Sequence, residues 1–277
     1  MPIVTLDTLK TYFANAAVPN YDNYVDVIDS LSANPGAVTA NYLNLIGLRG
    51  FWPPSSISTT PSLIDISNNH HLLTKNGTGA SIAYDDDVAK FIPYSNLYSG
   101  QYFYLVDNAA LSITGTELYI HSARRGLTIG CWLRVPVRPD EFDTGIIGKY
   151  TTGQRSYLLY RTAAGRFRFT ISTNGTAVVN AESTQTISLS YWHFLVGRFN
   201  PSTELAIFHN GYWVKNTTSI PASIYDSTAR FEIGSFEAGL TSTTWTHNGS
   251  LYFITASALT DLQIENLYKS SMPLFRF

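Results

Sequence analysis

Three runs of roughly alternating apolar and polar residues follow one another between Tyr191 and Lys215. The first run extends from Trp192 to Phe199 and the second from Glu204 to His209. Asn210-Gly211 then separates the second run from the third, and this pair favours a hairpin because both central residues of a type I′ turn need positive φ angles. The pattern predicts a meander of antiparallel strands, which needs more strands beside it.

Further short apolar runs are separated by turn signals along the rest of the chain. Strands are predicted within residues 63–72, 101–106, 111–113, 127–137, 166–171, 231–236 and 250–256. One late helix is predicted because Thr260 and Gln263 form a capping-box pair. The predicted buried side of this helix is Leu262, Leu267 and Tyr268. Many short strands without helical crossovers predict an all-β fold, with two antiparallel sheets packed as a sandwich.

The first 47 residues have a helical pattern instead. Two short helices are predicted, and each has an apolar stripe on one face. The stripes are Leu6, Leu9 and Phe13 on the first helix and Tyr24, Ile28 and Leu31 on the second. Because helices of this length are marginal alone in water, another surface must bury the stripes. We therefore expect residues 1–47 to be an attachment or oligomerisation segment with a linker, and residues 48–277 to be the sandwich domain.

Composition and charge argue against several classes of protein, among them nucleic-acid-binding and membrane proteins. Charged residues make up 14% of the chain, the formal net charge is −2 and the pI is about 6.3, which predicts neither nucleic acid nor an anionic membrane as a partner. No apolar stretch is long enough to span a bilayer, and the first ten residues lack the pattern of a signal peptide. The single cysteine, Cys131, excludes an internal disulfide and lies in an apolar run, so we expect a core thiol.

The segment LKTYFANAAVPNYDNYVDVIDSL resembles a segment near the start of many phage tail-fibre and appendage proteins. The shared features are an LK-x-x-F helix, a Pro-containing turn, and a helix that ends in an Ile-Asp-Ser-Leu-like run. The resemblance implies a virion protein that is made in the host cytoplasm and contacts other virion proteins through this segment. It also implies a homotrimer, whereas burial of the stripes alone is satisfied equally well by a dimer.

A second resemblance covers residues 48–270. The matching pieces are GLRGFWPP, LIDISNNHHLL, LTIGCWLRV, GIIGKY, SYLLYRTAAGRFRF, YWHFLVGRF, LAIFHNGYWVK, FEIGSF and NGSLYFITASALTDLQIENLY. In this order they are similar to the laminin G-like, concanavalin A-like jelly-roll family. The resemblance implies a two-sheet jelly roll and leaves the function open, because one fold serves many functions.

Some relatives of this fold hydrolyse glycans with carboxylates borne on alternate residues of one strand, in a Glu-x-Asp-x-x-Glu pattern. The sequence contains no such pattern. Asp140, Glu141 and Asp143 follow Pro139 in a predicted loop, which does not fix an acid and a nucleophile across one glycosidic bond. We therefore predict a protein that is not an enzyme.

The family resemblance also implies calcium as a candidate cofactor, since laminin G-like domains often hold this ion through carboxylate, amide and carbonyl oxygens. Asp65 with Asn68 is the best match to such a site, and Asp85–Asp87 is a second oxygen-rich cluster. The pair His70-His71 is a poor transition-metal site, because adjacent strand residues point to opposite faces.

Aromatic and amide residues on predicted loops are the candidate ligand-binding residues. They are Tyr150, Gln154 and Arg155 on one turn, Tyr212 at the Asn-Gly hairpin, and Trp245, His247 and Asn248 on a Ser/Thr-rich loop. Flat aromatic faces beside amides suit sugar rings, which have apolar C–H faces and hydroxyl rims. The alternative is that these aromatic residues pack in the core or in an oligomer interface.

These observations predict a virion-associated adhesin or fibre whose jelly roll binds host-surface glycans. One alternative is a structural protein that decorates the particle without binding sugar. Another is a bacterial carbohydrate-binding module, against which the absence of a signal peptide argues.

Overall fold

A computed structural model describes residues 47–53, 63, 65, 67, 69–76, 81–84, 93–97, 100–117, 124–135, 142–272 and 275, and gives only the backbone of 81–84 and 93–96. The predicted helices of the first 47 residues, with their stripes, lie outside this part, as do Asn68, Asp85–Asp87, Asp140 and Glu141. None of the helices described has the length and apolar character that crossing a membrane requires.

The described residues form two antiparallel sheets. The first contains β1 (Leu48–Trp52), β3 (Ser81–Tyr84), β4 (Pro93–Leu97), β6 (Leu127–Arg134), β11 (Trp192–Asn200), β12 (Glu204–His209), β13 (Tyr212–Asn216) and β15 (His247–Thr255). The second contains β2 (Thr74–Asn76), β5 (Tyr102–Leu105), β7 (Thr144–Lys149), β8 (Arg155–Arg161), β9 (Phe167–Gly175), β10 (Val178–Glu182) and β14 (Phe231–Ile233). This arrangement confirms the predicted two-sheet sandwich.

Strand order is not sequential in either sheet. The first sheet runs β13-β12-β11-β6-β15-β4-β3, with β1 also paired to β15, and the second runs β10-β9-β8-β7-β14-β5-β2. The predicted meander is confirmed as β11, β12 and β13, and Asn210 has the positive φ angle, 47°, that the hairpin turn requires.

The core lies between the sheets. Alternate residues of each strand face inward, so Leu195 and Phe199 of β11 meet Phe167 and Phe169 of β9 across the sandwich. Gly197 permits the closest approach, because a Cβ atom there would lie 2.4 Å from the ring of Phe169. Cys131 is fully buried in this core, as predicted, and burial raises the pKa of its thiol.

The predicted late helix is α1 (Asp261–Ser271), and its capping box of Thr260 and Gln263 is present. It lies on the outer face of the first sheet, where Ser271 Oγ accepts a hydrogen bond of 2.9 Å from Trp132 Nε1. The prediction that Leu262 is buried is wrong. Its side chain is 65% exposed, because Ile264 takes its place on the buried side, whereas Leu267 is buried as predicted.

Two predicted strands are also wrong. Residues 111–113 are not a strand, because Ala109–Leu111 is a 3₁₀ helix in which the Asn108 side chain accepts from Ala110 N. The second 3₁₀ helix is Thr241–Thr243. The described residues of 63–72 contain only an isolated bridge at Leu72. They are organised by the carboxylate of Asp65 and not by a strand ladder.

Candidate functional site

Five side chains form a continuous row of contacts on the outer side of the second sheet. The guanidinium carbon of Arg155 lies 5.4 Å from the ring centre of Tyr150, whose ring meets Phe236 edge-on at 5.8 Å. Phe236 lies 6.4 Å from the ring of Tyr160, and the guanidinium of Arg168 lies 5.7 Å from that ring. We call this row the aromatic ribbon: three rings in sequence with a guanidinium at each end.

Strand alternation places part of the ribbon on the outer face. Tyr157 and Leu159 of β8 point into the core, so Tyr160 points outward. Arg168 lies between two core phenylalanines of β9 and points outward for the same reason. The clean alternation of residues 166–171 predicted this orientation of Arg168, whereas nothing in the sequence connected it to Tyr160.

Phe236 reaches the ribbon from a loop. Glu237 and Ala238, the next two residues, both have positive φ angles, 55° and 56°, which turn the loop back toward the sheet. The carboxylate of Glu237 accepts hydrogen bonds from Thr152 N at 2.7 Å and Thr152 Oγ1 at 2.8 Å, and Glu237 N donates to Tyr150 O at 3.0 Å. These bonds fix Phe236 between the two tyrosines.

Each end of the ribbon carries a guanidinium, of which that of Arg168 is ion-paired with Glu182, and the rings are neutral. Arg168 Nε donates to Glu182 at 2.6 Å and Arg168 Nη1 donates to Tyr160 Oη at 3.0 Å. Burial raises the pKa of Tyr160 to about 12, although Arg168 acts in the opposite direction. Burial likewise raises the pKa of Tyr150. Both phenols therefore stay protonated and keep an O–H donor at neutral pH.

The structure brings together two of the three residues predicted on this turn, Tyr150 and Arg155. Gln154 is near them in sequence, but its Oε1 accepts from Thr228 N at 3.1 Å and Thr228 Oγ1 at 3.2 Å. Its carbonyl thus holds the neighbouring loop. Tyr212 is 63% exposed at the start of β13 in the other sheet and is not part of the ribbon.

Trp245 lies in the loop before β15, as predicted, but it is buried, and the predicted loop placement of His247 and Asn248 is wrong. Trp245 is 3% exposed, donates from Nε1 to Gly145 O at 2.9 Å and stacks on His247 at 4.9 Å. His247 and Asn248 are buried in β15. The Ser/Thr-rich composition was misleading because hydroxyls there bond to nearby backbone carbonyls, as Thr244 Oγ1 does with Thr241 O at 2.7 Å.

Asp65 is buried and fully occupied by protein donors. Its Oδ1 accepts from Phe51 N and Ser67 N, both at 2.8 Å, and its Oδ2 accepts from Ser67 Oγ at 2.8 Å and His71 N at 3.0 Å. Among the described residues, no group of three or more His, Cys, Asp or Glu side chains is placed to hold a metal ion. The carboxylate therefore fits a structural acceptor better than the predicted calcium ligand.

The carboxylates on the outer face of the second sheet decide whether a glycan on the ribbon could be hydrolysed there. On its described strands the carboxylates are Glu182 of β10 and Glu232 of β14, four strand positions apart. Four inter-strand spacings amount to about 19 Å, against the roughly 5 to 9.5 Å that separates the carboxyl groups of glycosidases. Asp143 is in the loop before β7, where it accepts from Ala163 N at 2.8 Å.

A family model described as the concanavalin A-like lectin/glucanases superfamily matches residues 107–252, just over half of the chain. The chain belongs to this superfamily. The jelly-roll resemblance read from the sequence is confirmed, whereas the tail-fibre resemblance of the first residues stays a prediction. No curated protein matches the sequence. Members of the superfamily share a fold, and the fold by itself does not assign a ligand.

Solved structures with the same fold include several toxin domains. The binding domain of Paraclostridial Mosquitocidal Protein 1 is 15% identical with a TM-score of 0.64, and 81% of this chain aligns with 52% of that one. The receptor binding domain of botulinum neurotoxin mosaic serotype C/D is 10% identical with a TM-score of 0.60, covering 83% and 52%. The binding domain of botulinum neurotoxin DC, in complex with SialylT, is 14% identical with a TM-score of 0.57, covering 81% and 51%. This chain spans about half the length of these structures.

Proposed function

We propose that this protein is a non-enzymatic, glycan-binding appendage protein whose jelly roll holds its ligand on the aromatic ribbon. The observation that carries the proposal is the row of three rings with a guanidinium at each end. Ring faces and edges suit the apolar C–H faces of sugars, while phenol and guanidinium N–H and O–H groups suit hydroxyl and carboxylate oxygens. Tyr160 is only 7% exposed, so the rings of Tyr150 and Phe236, with Arg155 beside them, are the part of the ribbon that a glycan would contact directly.

Carboxylate spacing supports binding without hydrolysis. Glu182 is occupied by Arg168, and Glu232, which is 2% exposed, is ion-paired with Arg230. Burial raises the pKa of Glu232, which is one feature of a general acid. Hydrolysis also needs a second carboxylate across the same glycosidic bond. Glu182, the other carboxylate on these described strands, lies about 19 Å away, too far to act on the same glycosidic bond. Glu237 and Asp143 lie in loops nearer to Tyr150, and both are occupied as acceptors, Glu237 by Thr152 and Asp143 by Ala163 N.

The fold of the neighbours supports a binding role in general terms. The solved structures above are binding domains of toxins, and one is in complex with SialylT. Those properties belong to the toxin domains, of whose solved chains about half aligns with this chain at no more than 15% identity among the three compared. The proposed ligand therefore rests on the ribbon of this protein and not on the ligands of the toxins.

Attachment of the jelly roll to a virion is the second part of the proposal. Its support is the tail-fibre resemblance of residues 9–31 and the two apolar stripes, Leu6/Leu9/Phe13 and Tyr24/Ile28/Leu31. Residues 1–47 would self-associate, as a trimer by that resemblance, and dock on other virion proteins.

A glycan array probed with the full-length protein tests the binding role. We expect binding to an oligosaccharide that is lost in Tyr150→Ala, kept in Tyr150→Phe, and weakened about tenfold or more in Arg155→Ala, the loss typical of a charged hydrogen bond. Arg125→Ala removes an exposed arginine elsewhere and is the matched control. If no glycan binds, or if binding is equally strong in Tyr150→Ala, a purely structural decoration role replaces the proposal.

A further inference from the structure

The connection from β10 to β11, residues 184–191, buries little of its own surface. Its residues are all exposed or half-buried, and Ile187, which contacts the core, is one of the half-buried ones. Ile187 N donates to Gly165 O at 3.1 Å and Ser190 N donates to Val135 O at 2.7 Å. A segment that buries so little apolar surface opens at a lower free-energy cost than the buried strands that it joins.

A buried pair of histidines lies beneath this connection, where β11 begins and β12 ends. Leu195 of β11 is the cross-strand partner of His209 of β12, so His193 is the diagonal neighbour of His209 on the inward face. His193 Nδ1 and His209 Nε2 lie 2.9 Å apart, and His193 Nε2 lies 2.9 Å from Ser188 O. The pair therefore links β12, β11 and the connection in one chain of hydrogen bonds.

These contacts determine which nitrogens carry protons. A carbonyl oxygen only accepts hydrogen bonds, so His193 Nε2 donates to Ser188 O, and His193 Nδ1 accepts the Nε2–H of His209. His209 Nδ1 is buried without a hydrogen-bond partner in the described part of the chain. A proton bound there would make a buried cation, and a proton bound at His193 Nδ1 would set two N–H groups against each other.

The surroundings of the pair supply no negative charge. Residues 184–190 contain no titratable side chain, and Tyr191 and Tyr212 are exposed phenols, which offer no negative charge in acid. Arg161 of β8 points inward, but it is itself a cation and donates to Phe142 O at 3.2 Å. By strand alternation, the other charged side chains of the neighbouring strands lie on outer faces. They are Arg134 of β6, Arg166 before β9, Arg168 of β9, Glu182 of β10, Arg198 of β11, Glu204 of β12 and Lys215 of β13.

Acid therefore favours any state in which the pair is no longer buried. Burial lowers the pKa of His209 from 6.5 to about 3, with His193 as the second cause, and burial also lowers the pKa of His193. The closed form keeps its full advantage above about pH 6.5 and loses it as the pH falls toward about 3. At about pH 5, protonation of His209 alone multiplies the opening equilibrium by about 30, and His193 acts in the same direction.

We propose that residues 184–191 form an acid-operated flap, which leaves the end of the sandwich when the His193–His209 pair takes up protons, while the two sheets stay folded. The flap yields before the sheets because β11 and β12 are buried along nearly their whole length. The ring of Phe167 packs edge-on against both imidazoles, at 5.5 and 5.0 Å, so opening uncovers an apolar ring beside two new cations. The flap does not depend on glycan binding by the ribbon.

Native-state hydrogen exchange of the full-length protein tests the flap. Amide exchange is followed by NMR from about pH 7 to about pH 5 and corrected for the intrinsic exchange rate. The reporters are the amides of Ile187 and Ser190, whose bonds to Gly165 O and Val135 O break on opening. Their protection should fall about 30-fold or more over this range. The amide of Val196, in the middle of β11, should stay better protected throughout.

Matched variants assign the effect to the pair. His209→Gln keeps a donor in the position of Nε2–H and cannot take up a proton, so the fall in protection should shrink by about 30-fold. His70→Asn removes an exposed histidine of another loop, at a positive φ angle of 50° that asparagine tolerates, and should change nothing. His193→Gln, which keeps the donor to Ser188 O, should also lessen the fall and replaces His209→Gln if that variant does not fold.

Three results would overturn the inference. The first is protection of Ile187 and Ser190 in the wild type that does not change between about pH 7 and about pH 5. The second is protection of these amides that equals that of Val196 at each pH, because exchange would then require unfolding of the whole sandwich. The third is an undiminished fall in the histidine-to-glutamine variants, because other groups would then bind the protons.

Discussion

Replacing Asp65 by alanine should remove a large part of the stability of the jelly roll. The carboxylate is 1% exposed and accepts hydrogen bonds from three backbone N–H groups, those of Phe51, Ser67 and His71. A methyl group would leave these donors without an acceptor. Each buried unsatisfied donor costs about 1 to 3 kcal/mol, so we expect a loss of about 3 to 6 kcal/mol after local relaxation. Domain stabilities total about 5 to 15 kcal/mol.

Asp65→Asn should cost less, because its amide keeps one carbonyl oxygen. That oxygen would still accept from Phe51 N and Ser67 N, while the new NH₂ group would face the N–H of His71, which is also a donor. One backbone donor is therefore left unsatisfied, and we expect a loss of about 1 to 3 kcal/mol. The order alanine, asparagine, wild type is the expected order of increasing stability.

Urea unfolding followed by tryptophan fluorescence and circular dichroism measures both variants. Asp226→Ala is the matched control, because Asp226 is exposed. An Asp65→Ala free energy of unfolding within about 1 kcal/mol of this control would refute the reasoning. Millimolar calcium should not move the wild-type midpoint, since all the bonds to Asp65 come from the protein. A calcium-dependent increase that is lost in Asp65→Asn would instead restore the calcium site predicted from the sequence.

Other predictions concern the core, pH and assembly. Trp245→Phe should destabilise the fold by about 1 to 3 kcal/mol through the lost bond to Gly145 O, without changing glycan-array binding. Burial depresses the pKa of His247 to about 4 from 6.5, so only the unfolded chain binds this proton between those values. The contribution of His247 to stability should therefore fall by about 3 kcal/mol as the pH drops from about 6.5 to about 4, in addition to a loss from His209, whose pKa burial lowers to about 3. His247→Asn should make this part of the urea-unfolding pH curve less steep by about that amount. Light scattering should show an oligomer that the double substitution Leu9→Asp and Phe13→Asp converts to monomer; a monomeric wild type would leave docking on another virion protein as the role of this segment.

Local patterns predicted the fold well wherever turn chemistry and alternation agreed. The meander of β11 to β13 and the capping box of α1 are two such places, since hairpin turns and caps are decided by a few neighbouring residues. Leu262 shows the limit of local pattern. Spacing alone leaves open whether Leu262 or Ile264 is buried together with Leu267, and the contacts with the first sheet bury Ile264.

The candidate surfaces were predictable only in part, for a related reason. Tyr150 and Arg155 were found because they occupy a recognisable turn. Phe236 was not, because it reaches the ribbon through a loop with two non-glycine positive φ angles, which no propensity indicates. The buried contact between His193 Nδ1 and His209 Nε2, at 2.9 Å, could have been predicted from the sequence. The predicted turn that contains Asn200-Pro201 fixes the register of β11 against β12, and this register makes the two histidines neighbours.

The C-terminal segment covers part of the outer face of the first sheet. On the outer face of the first sheet, Trp132 stacks on Phe275 at 4.3 Å and Phe194 stacks on Tyr268 at 5.6 Å. Arg198, which is 4% exposed on the same face, is held by Asp261 at 2.7 Å. These contacts commit aromatic and charged side chains of that face to α1 and the residues after it. A ligand over Trp132 or Phe194 would have to displace this segment, whereas the ribbon needs no such rearrangement.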